Sequence, residues 1–165
     1  MSYVTLTTDA KNFHQASFTA GTAATAPVKT LTATKPVSAA GSTVFGASLN
    51  YLKLKLYSSA NTASQNFYVY GWNYVVETNA YVPQLLAYVV GTVSSTQQTS
   101  LPGIGSAYEM TSWSLSQGDA KLYNGASTTT PGGFILVDTL GCEYVEVFSY
   151  ASAGTPTITV LYAGV

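Results

Sequence analysis

The side chains that could carry out catalysis are few and lie far apart in the sequence. The 165 residues include one histidine, His14, and one cysteine, Cys142. A nucleophile needs a base beside it and a third group that orients the base. Because His14 lies in a different kind of segment from Cys142, we expect neither a Cys-His nor a Ser-His-Asp site.

The carboxylates do not form a catalytic pair either. The seven acids are Asp9, Glu77, Glu109, Asp119, Asp138, Glu143 and Glu146. Acid–base catalysis needs two such groups in one cleft, but Glu143 and Glu146 are three residues apart and point to opposite faces of a strand. Asp119 follows a glycine in a tight turn, and Asp138 ends a strand, where Asp commonly accepts backbone N–H groups. We therefore expect no catalytic residue and no enzymatic activity.

Metal and cofactor sites are not indicated. The sequence has no Cys/His cluster and no Asp-rich loop of the calcium-binding kind. The glycine-rich stretches at 103–105 and 132–133 lack the lysine and the following helix of a phosphate-binding loop. We expect neither a metal ion nor a cofactor.

The positive signal is aromatic. The chain has 13 tyrosines and two tryptophans, which provide large, rigid contact area and concentrate in interfaces. Four aromatic residues alternate along one predicted strand and therefore share a face. With the second tryptophan, the candidate interface residues are Tyr68, Tyr70, Trp72, Tyr74 and Trp113. Three roles remain open for these rings: filling the core and its rim, forming a subunit interface, or stacking on sugars.

Charge limits the classes of partner. Only 8% of the residues are charged and none is arginine, against about 25% in a typical domain. A net charge of −1 predicts binding neither to nucleic acid, which requires a basic patch, nor to a membrane surface. Because 47% of the residues are hydrophobic, the low charge does not indicate disorder. A surface with so few charges is typical of a protein that works in an assembly.

Sequence features also bear on where the chain folds. A single cysteine allows no intrachain disulfide. The first residues lack the basic and apolar regions of a signal peptide, and no stretch reaches about 18 apolar residues. We expect folding in a cytoplasm, whatever the final location of the protein.

These side chains must be positioned by β-structure, and the composition divides the chain near residue 48. Residues 1–48 are rich in Ala and Thr, and large apolar residues are sparse there. Short β-like segments lie at 3–8, 13–19 and 28–34. We expect this region to be an extended N-terminal arm.

Residues 49–165 follow a period of two, with turn residues between the runs. Leu52, Leu54 and Leu56 should face the core, with Lys53 and Lys55 on the opposite side. A glycine at position 71 should mark a bulge or a close backbone approach. Eight strands are predicted, at 51–57, 67–76, 85–93, 108–115, 120–123, 134–137, 143–150 and 157–162. This number and spacing predict an all-β antiparallel sandwich, with the eight-stranded jelly roll favoured over up-and-down and immunoglobulin-like orders.

This second region resembles the capsid decoration and cement proteins of tailed phages. The resemblance rests on segments 71–74, 134–142, 143–147 and 157–165. It implies a non-enzymatic structural protein of the virion, a homo-oligomer with the trimer favoured, seated on the outer capsid surface and bound to the capsid protein. An arm would then reach neighbouring subunits.

Two alternatives stay open. One is a carbohydrate- or receptor-binding β-sandwich module, and the other is a tail or head-completion subunit. A coat protein that packages RNA directly is disfavoured, because residues 1–48 contain only Lys11, Lys29 and Lys35 as basic residues.

Overall fold

The fold is built almost entirely from β-strands. A computed structural model describes the chain at residues 3–5, 12–22, 29–46, 50–61, 65–101, 103–125, 132–151 and 154–164. The strands in these ranges are β1 (Tyr3–Thr5), β2 (Asn12–Thr19), β3 (Ser42–Gly46), β4 (Tyr51–Ser58), β5 (Gln65–Val75), β6 (Ala80–Val93), β7 (Gln98–Leu101), β8 (Gly105–Gly118), β9 (Ala120–Tyr123), β10 (Phe134–Asp138), β11 (Tyr144–Ala151) and β12 (Thr157–Gly164). A short 3-10 turn, Val76–Thr78, joins β5 to β6. Among the described residues there is no helix with the length and apolar character of a membrane span.

The strands form two antiparallel layers. The first sheet has the order β1-β2-β12-β4-β10-β9, and the second has the order β3-β11-β5-β6-β8. Strand β8 connects the layers along one side. Its early residue Glu109 pairs with Tyr57 of β4, whereas its later residues pair with β6. The small strand β7 pairs with the start of β8.

The strand order identifies the jelly roll. Strands β2-β12-β4-β10 form one four-stranded layer and β3-β11-β5-β6 form the other. Eight antiparallel strands divided in this order between two packed layers constitute a jelly roll. The predicted fold class, an all-β antiparallel sandwich of this kind, is confirmed, and β1, β7, β8 and β9 are added to it.

The core lies between the two layers, as the sequence period predicts. Leu52, Leu54 and Leu56 are all buried, which confirms the predicted register of β4. They pack in one cluster with residues of the opposite layer such as Phe67 and Val147. Because every second residue of a strand faces the same side, the lysines between these leucines lie outside the core.

Gly71 is a position of close approach. A Cβ atom at Gly71 would lie 2.2 Å from the Cys142 sulfur, so only glycine leaves room for the thiol. Cys142 is buried in the core beside it, and the register shift of β5 falls nearby, between Val69 and Tyr70. The predicted close approach at Gly71 is therefore confirmed.

The region before residue 48 contributes strands to both layers. Strand β2 pairs with β12, and β3 pairs with β11, so residues 12–19 and 42–46, expected in an extended arm, lie in the sandwich. The predicted strand at 28–34 is not formed by its described residues 29–34, where Thr32 makes a single bridge to Tyr81. Of the predicted strand at 3–8, residues 6–8 lie outside the described residues.

Two further boundaries differ from the predicted ones. Strand β6 begins at Ala80 rather than at 85, because the hairpin from β5 closes tightly through Asn79, which adopts a left-handed conformation with φ of 49°. Strand β7 lies between the predicted strands at 85–93 and 108–115, where no strand was predicted.

Candidate functional site

The outer side of the second sheet is aromatic. On β5, Tyr68, Tyr70 and Trp72 share one face, as the sequence predicts, and the structure places that face away from the opposite layer. Rings from the adjacent strands β6 and β11 surround them. Together these residues form what we call the aromatic face: Tyr68, Tyr70, Trp72, Tyr81, Leu85, Tyr88, Tyr144, Phe148 and Tyr150.

Ring contacts across the strands hold the aromatic face together. Tyr68 stacks on Tyr88 with centroids 4.3 Å apart, and the two residues are directly paired in the β5–β6 register. On the β11 side, Phe148 and Tyr150 lie 4.7 Å apart, and Tyr150 meets Tyr68 edge-on at 6.3 Å. Each such pair contributes about 0.5–1.5 kcal/mol beyond its buried area. The central rings Tyr68, Tyr70 and Trp72 are themselves buried, so the aromatic face packs as a second apolar cluster, separate from the core between the layers.

Tyr74 extends the aromatic face to the β5–β6 turn. It remains 38% exposed and meets Tyr81 edge-on at 5.3 Å, while Tyr81 meets Tyr144 in the same way at 5.8 Å. The Tyr74 hydroxyl donates a hydrogen bond to the Asn79 side-chain oxygen. This corner combines exposed rings with an amide group.

A loop crosses the aromatic face and returns. We call residues 29–38 the covering loop. Lys29 reaches Glu146 on β11, and Thr32 exchanges two backbone hydrogen bonds of 3.1 and 2.8 Å with Tyr81 on β6. Further along, the Lys35 ammonium lies 5.4 Å from the centroid of a β11 tyrosine ring. Because β5 lies between β11 and β6, these contacts place the loop across its outer side.

Two residues outside the covering loop, Gly21 before it and Gly41 after it, bond to one residue of β11. Gly21 donates its N–H to the Ser149 carbonyl, and Ser149 donates its N–H to the Gly41 carbonyl, both at 2.9 Å. Gly41 has a φ of 82°, and a Cβ there would lie 3.1 Å from the Phe148 ring. The backbone at Gly41 is thus set tightly against the aromatic face.

One carboxylate is buried within this aromatic surface. Glu146 accepts from Lys29 Nζ at 2.7 Å and from Trp72 Nε1 at 3.2 Å. A buried charge is tolerated when it is paired and hydrogen-bonded, and both conditions hold. The pKa of the adjacent Tyr70 is raised, first by burial of its hydroxyl and then by the negative charge of Glu146.

The structure separates Trp113 from the other predicted interface residues, which lie together on the outer side of the second sheet. Trp113 is buried in the core against Phe67, with ring centroids 5.7 Å apart. A Cβ at Gly91 would lie 2.7 Å from its ring. Trp113 is therefore a packing residue rather than an interface residue.

The polar centre of the face was not predicted from the sequence. Glu146 and Lys29 are 117 residues apart, and no local pattern links them. The sequence does show that Tyr144, Glu146 and Phe148 alternate on one strand. This pattern could have indicated that a charged group lies between two aromatic rings on the same face.

Two further acids, Glu109 and Asp138, have structural contacts. Glu109 is buried and accepts from Lys55 Nζ at 3.0 Å and from Gln98 Nε2 at 2.8 Å, which ties β8 to β4 and β7. The Asp138 side chain accepts the Leu140 N–H at 2.8 Å, so the turn role predicted for it is confirmed. Within the described residues, no group of three His, Cys, Asp or Glu side chains could hold a metal ion.

The cysteine and the histidine lie apart. Burial in the core raises the pKa of the Cys142 thiol, which disfavours the reactive thiolate. His14, on β2 of the first sheet, stacks on Tyr162 at 5.3 Å.

Fold and site together define a jelly-roll protein with an aromatic outer face and a loop fastened across it. Comparisons with protein-family models, curated proteins and solved structures found no match.

Proposed function

We propose that the chain is a non-enzymatic structural subunit of a virus particle, a decoration or cement protein that sits on the outer capsid surface. The observation that carries the proposal is the jelly roll whose second sheet bears the aromatic face beneath the covering loop. Jelly rolls recur among viral capsid domains. Tyrosine and tryptophan are enriched in protein interfaces, whereas charged residues are depleted from interface cores.

The covering loop supplies contact groups for such a surface. Leu31 is 57% exposed and Val37 is 70% exposed. The contacts that Lys29, Thr32 and Lys35 make with the second sheet hold the loop in place. Ordering a flexible residue on binding costs about 1–2 kcal/mol of backbone entropy, so a loop that is already held in place binds with less loss. We assign to Leu31 and Val37 the contact with the capsid protein.

Four of the six lysines are engaged within the chain, which favours a protein partner over a nucleic acid. Lys29 and Lys55 pair with buried carboxylates on β11 and β8. Lys35 and Lys53 lie over aromatic rings. A groove that neutralises phosphates requires clustered, available cations. The proposal therefore includes a homo-oligomer on the particle exterior that does not contact the genome.

A purified-component experiment tests this proposal. Particles of the virus that encodes the protein are first stripped of it. The purified full chain is then added, and the particles are pelleted. We predict saturable co-sedimentation, weakened at least about tenfold by Leu31→Asp with Val37→Asp. The matched control is Ala33→Ser with Thr34→Ser, at exposed positions of the same loop. Absence of binding by the folded wild-type chain would refute the proposal.

A second candidate function is glycan or receptor binding. It is favoured by the corner at Tyr74, where an exposed ring lies beside the Asn79 amide and so offers both a stacking face and a hydrogen-bonding group. A glycan array with the wild-type chain and Tyr74→Ala separates the two candidates. Glycan binding abolished by this substitution would favour the module over the capsid subunit. A tail or head-completion subunit would instead pellet with tails or incomplete heads.

A further inference from the structure

A cleft of about 560 Å³ opens at the edge of the sandwich, where the chain leaves β2 of the first sheet and meets β11 of the second. It is lined by residues 17–22, by residues 38–42 and by the rings of Phe148 and Tyr150. Small-molecule sites have volumes of about 300–1,000 Å³, so this cleft is large enough for a ligand. We call it the edge cleft.

Glycines hold the backbone closely against the rings of the edge cleft. Gly21 and Gly41 both bond to Ser149 of β11. A Cβ at Gly21 would lie 2.9 Å from the Tyr150 ring, as one at Gly41 would meet the Phe148 ring. Both rings stay partly exposed, so they offer a ligand an aromatic surface.

The lining is polar without being charged. Lys29 lies 4.8 Å from the centroid of the Phe148 ring, but its charge is paired with Glu146. None of the described residues that line the cleft is charged. A charged ligand would lose hydration there without gaining a partner of opposite charge, so the cleft favours a neutral one. Four exposed side chains of the lining carry hydroxyl groups: Ser17, Thr19, Thr22 and Ser38.

A fifth hydroxyl of the lining, that of Ser42, is buried and lacks a partner. Ser42 is 1% exposed, and its Oγ has no hydrogen bond within the described part of the chain. Ser42 pairs directly with Phe148 in the β3–β11 register, so the two side chains share the outer side of the sheet. Buried hydroxyls are otherwise hydrogen-bonded, because leaving one unpaired is costly. A ligand hydroxyl beside Ser42 would supply the missing partner.

We infer that the edge cleft binds a neutral saccharide, the terminal mono- or disaccharide of a glycan. A sugar ring presents hydroxyl groups to Ser42 and to the exposed serines and threonines, and its C–H face packs on Phe148 and Tyr150. An apolar ligand would leave those hydroxyls unpaired. This activity goes beyond the proposed function. It also uses a different site from the Tyr74 corner, because Tyr150 pairs with Asn66 at the start of β5, whereas Tyr74 lies near its end.

Amide chemical shifts of the isotope-labelled full chain test this inference. The probes are the methyl glycosides of glucose, galactose, mannose and N-acetylglucosamine, with the anionic N-acetylneuraminic acid as the charged comparison. Ser42→Ala removes the unpaired hydroxyl, and Ala40→Phe fills the cleft from an exposed position. Their controls are Ser114→Ala and Ala33→Phe, at exposed positions outside the cleft.

At least one neutral glycoside should shift the amides of Gly21, Gly41 and Ser42 saturably, and the anionic sugar should not. Ser42→Ala should not lower the melting temperature of the free chain, but it should weaken glycoside binding at least about threefold. Ala40→Phe should abolish the shifts, and both controls should bind as the wild type does. Should Ala40→Phe fail to fold, Ser42→Ala still decides.

Three results would overturn the inference: no neutral glycoside shifts these amides, the anionic sugar binds as well as the neutral ones, or folded Ser42→Ala binds as tightly as the wild type. Binding that is lost in Tyr74→Ala but kept in Ser42→Ala would also overturn it, in favour of the Tyr74 corner. The particle experiment is independent of these results. A chain that pellets with particles but binds none of the glycosides refutes the inference alone, and the opposite pair of results refutes the proposed function alone.

Discussion

Lys29 and Glu146 form an ion pair of 2.7 Å on the outer side of the second sheet, within the aromatic face. Trp72 Nε1 donates to the other carboxylate oxygen at 3.2 Å. Burying two charges costs free energy that their attraction offsets only in good geometry. We therefore expect the pair to determine where the covering loop lies more than to add net stability.

Substitutions at this pair should be strongly non-additive. Lys29→Met leaves the Glu146 charge buried without its cation, which should lower the free energy of unfolding by about 3 kcal/mol. The double variant Lys29→Met with Glu146→Met replaces both charges by apolar groups and should lose much less than the sum of the two single changes. Urea denaturation at neutral pH measures all three. Additive losses would show that the two groups are not coupled.

Gly71 should not accept a side chain while Cys142 stays in place. Gly71→Ala puts a methyl group against the thiol and should cost about 1–3 kcal/mol from overpacking. Adding Cys142→Ala removes the sulfur and should recover part of that loss. Gly46→Ala is the control, because a Cβ there meets nothing within 4 Å. Equal melting temperatures for Gly71→Ala and Gly46→Ala would contradict the close approach.

Removal of residues 1–48 should abolish the fold. The truncated chain lacks β2 and β3, which leaves β12 and β11 with unpaired edges, and exposed edges promote aggregation. We expect insoluble protein, or a soluble chain without a near-ultraviolet circular dichroism signal. A separable arm predicts the opposite outcome, a folded and soluble chain, and that result would contradict the roles of β2 and β3 in the sandwich.

Stability should fall at high pH because of the tyrosines of the aromatic face. Burial, together with a hydrogen bond to Tyr88, raises the pKa of Tyr68 to about 12, against about 10 for an unfolded tyrosine. The unfolded chain therefore loses this proton first, so the free energy of unfolding decreases between about pH 10 and 12, and this group has no effect on it well below that window. Urea denaturation across this range measures the decrease. Tyr68→Phe should make it shallower, and an identical slope would count against the burial of this hydroxyl.

The parts of the fold that were predictable follow from local alternation. Leu52, Leu54 and Leu56 alternate with lysines, so their core-facing side could be assigned from the period of a strand. The rings of β5 alternate in the same way, which predicted that they share a face but not the side of the sheet on which it lies. The assignment needs no knowledge of the partner strand.

The parts that were missed depend on contacts distant in sequence. Strand β3 has only Phe45 as a large buried ring, and its place is set by pairing with β11, about a hundred residues later in the chain. Trp113 has the same side chain as Trp72, but it lies in the core between the layers. Its strand β8 pairs with β6 through two register shifts, which the sequence does not reveal. The Lys29–Glu146 contact has no local signature at all.

Co-sedimentation with particles tests the central claim most directly, because it asks whether the chain is a virion subunit without assuming its oligomeric state. The purified full chain is titrated onto stripped particles of the encoding virus, and the bound amount is measured in the pellet. We predict binding that saturates at a fixed number of copies per capsid subunit. A folded chain that stays entirely in the supernatant, at concentrations where the particles remain intact, would contradict the claim.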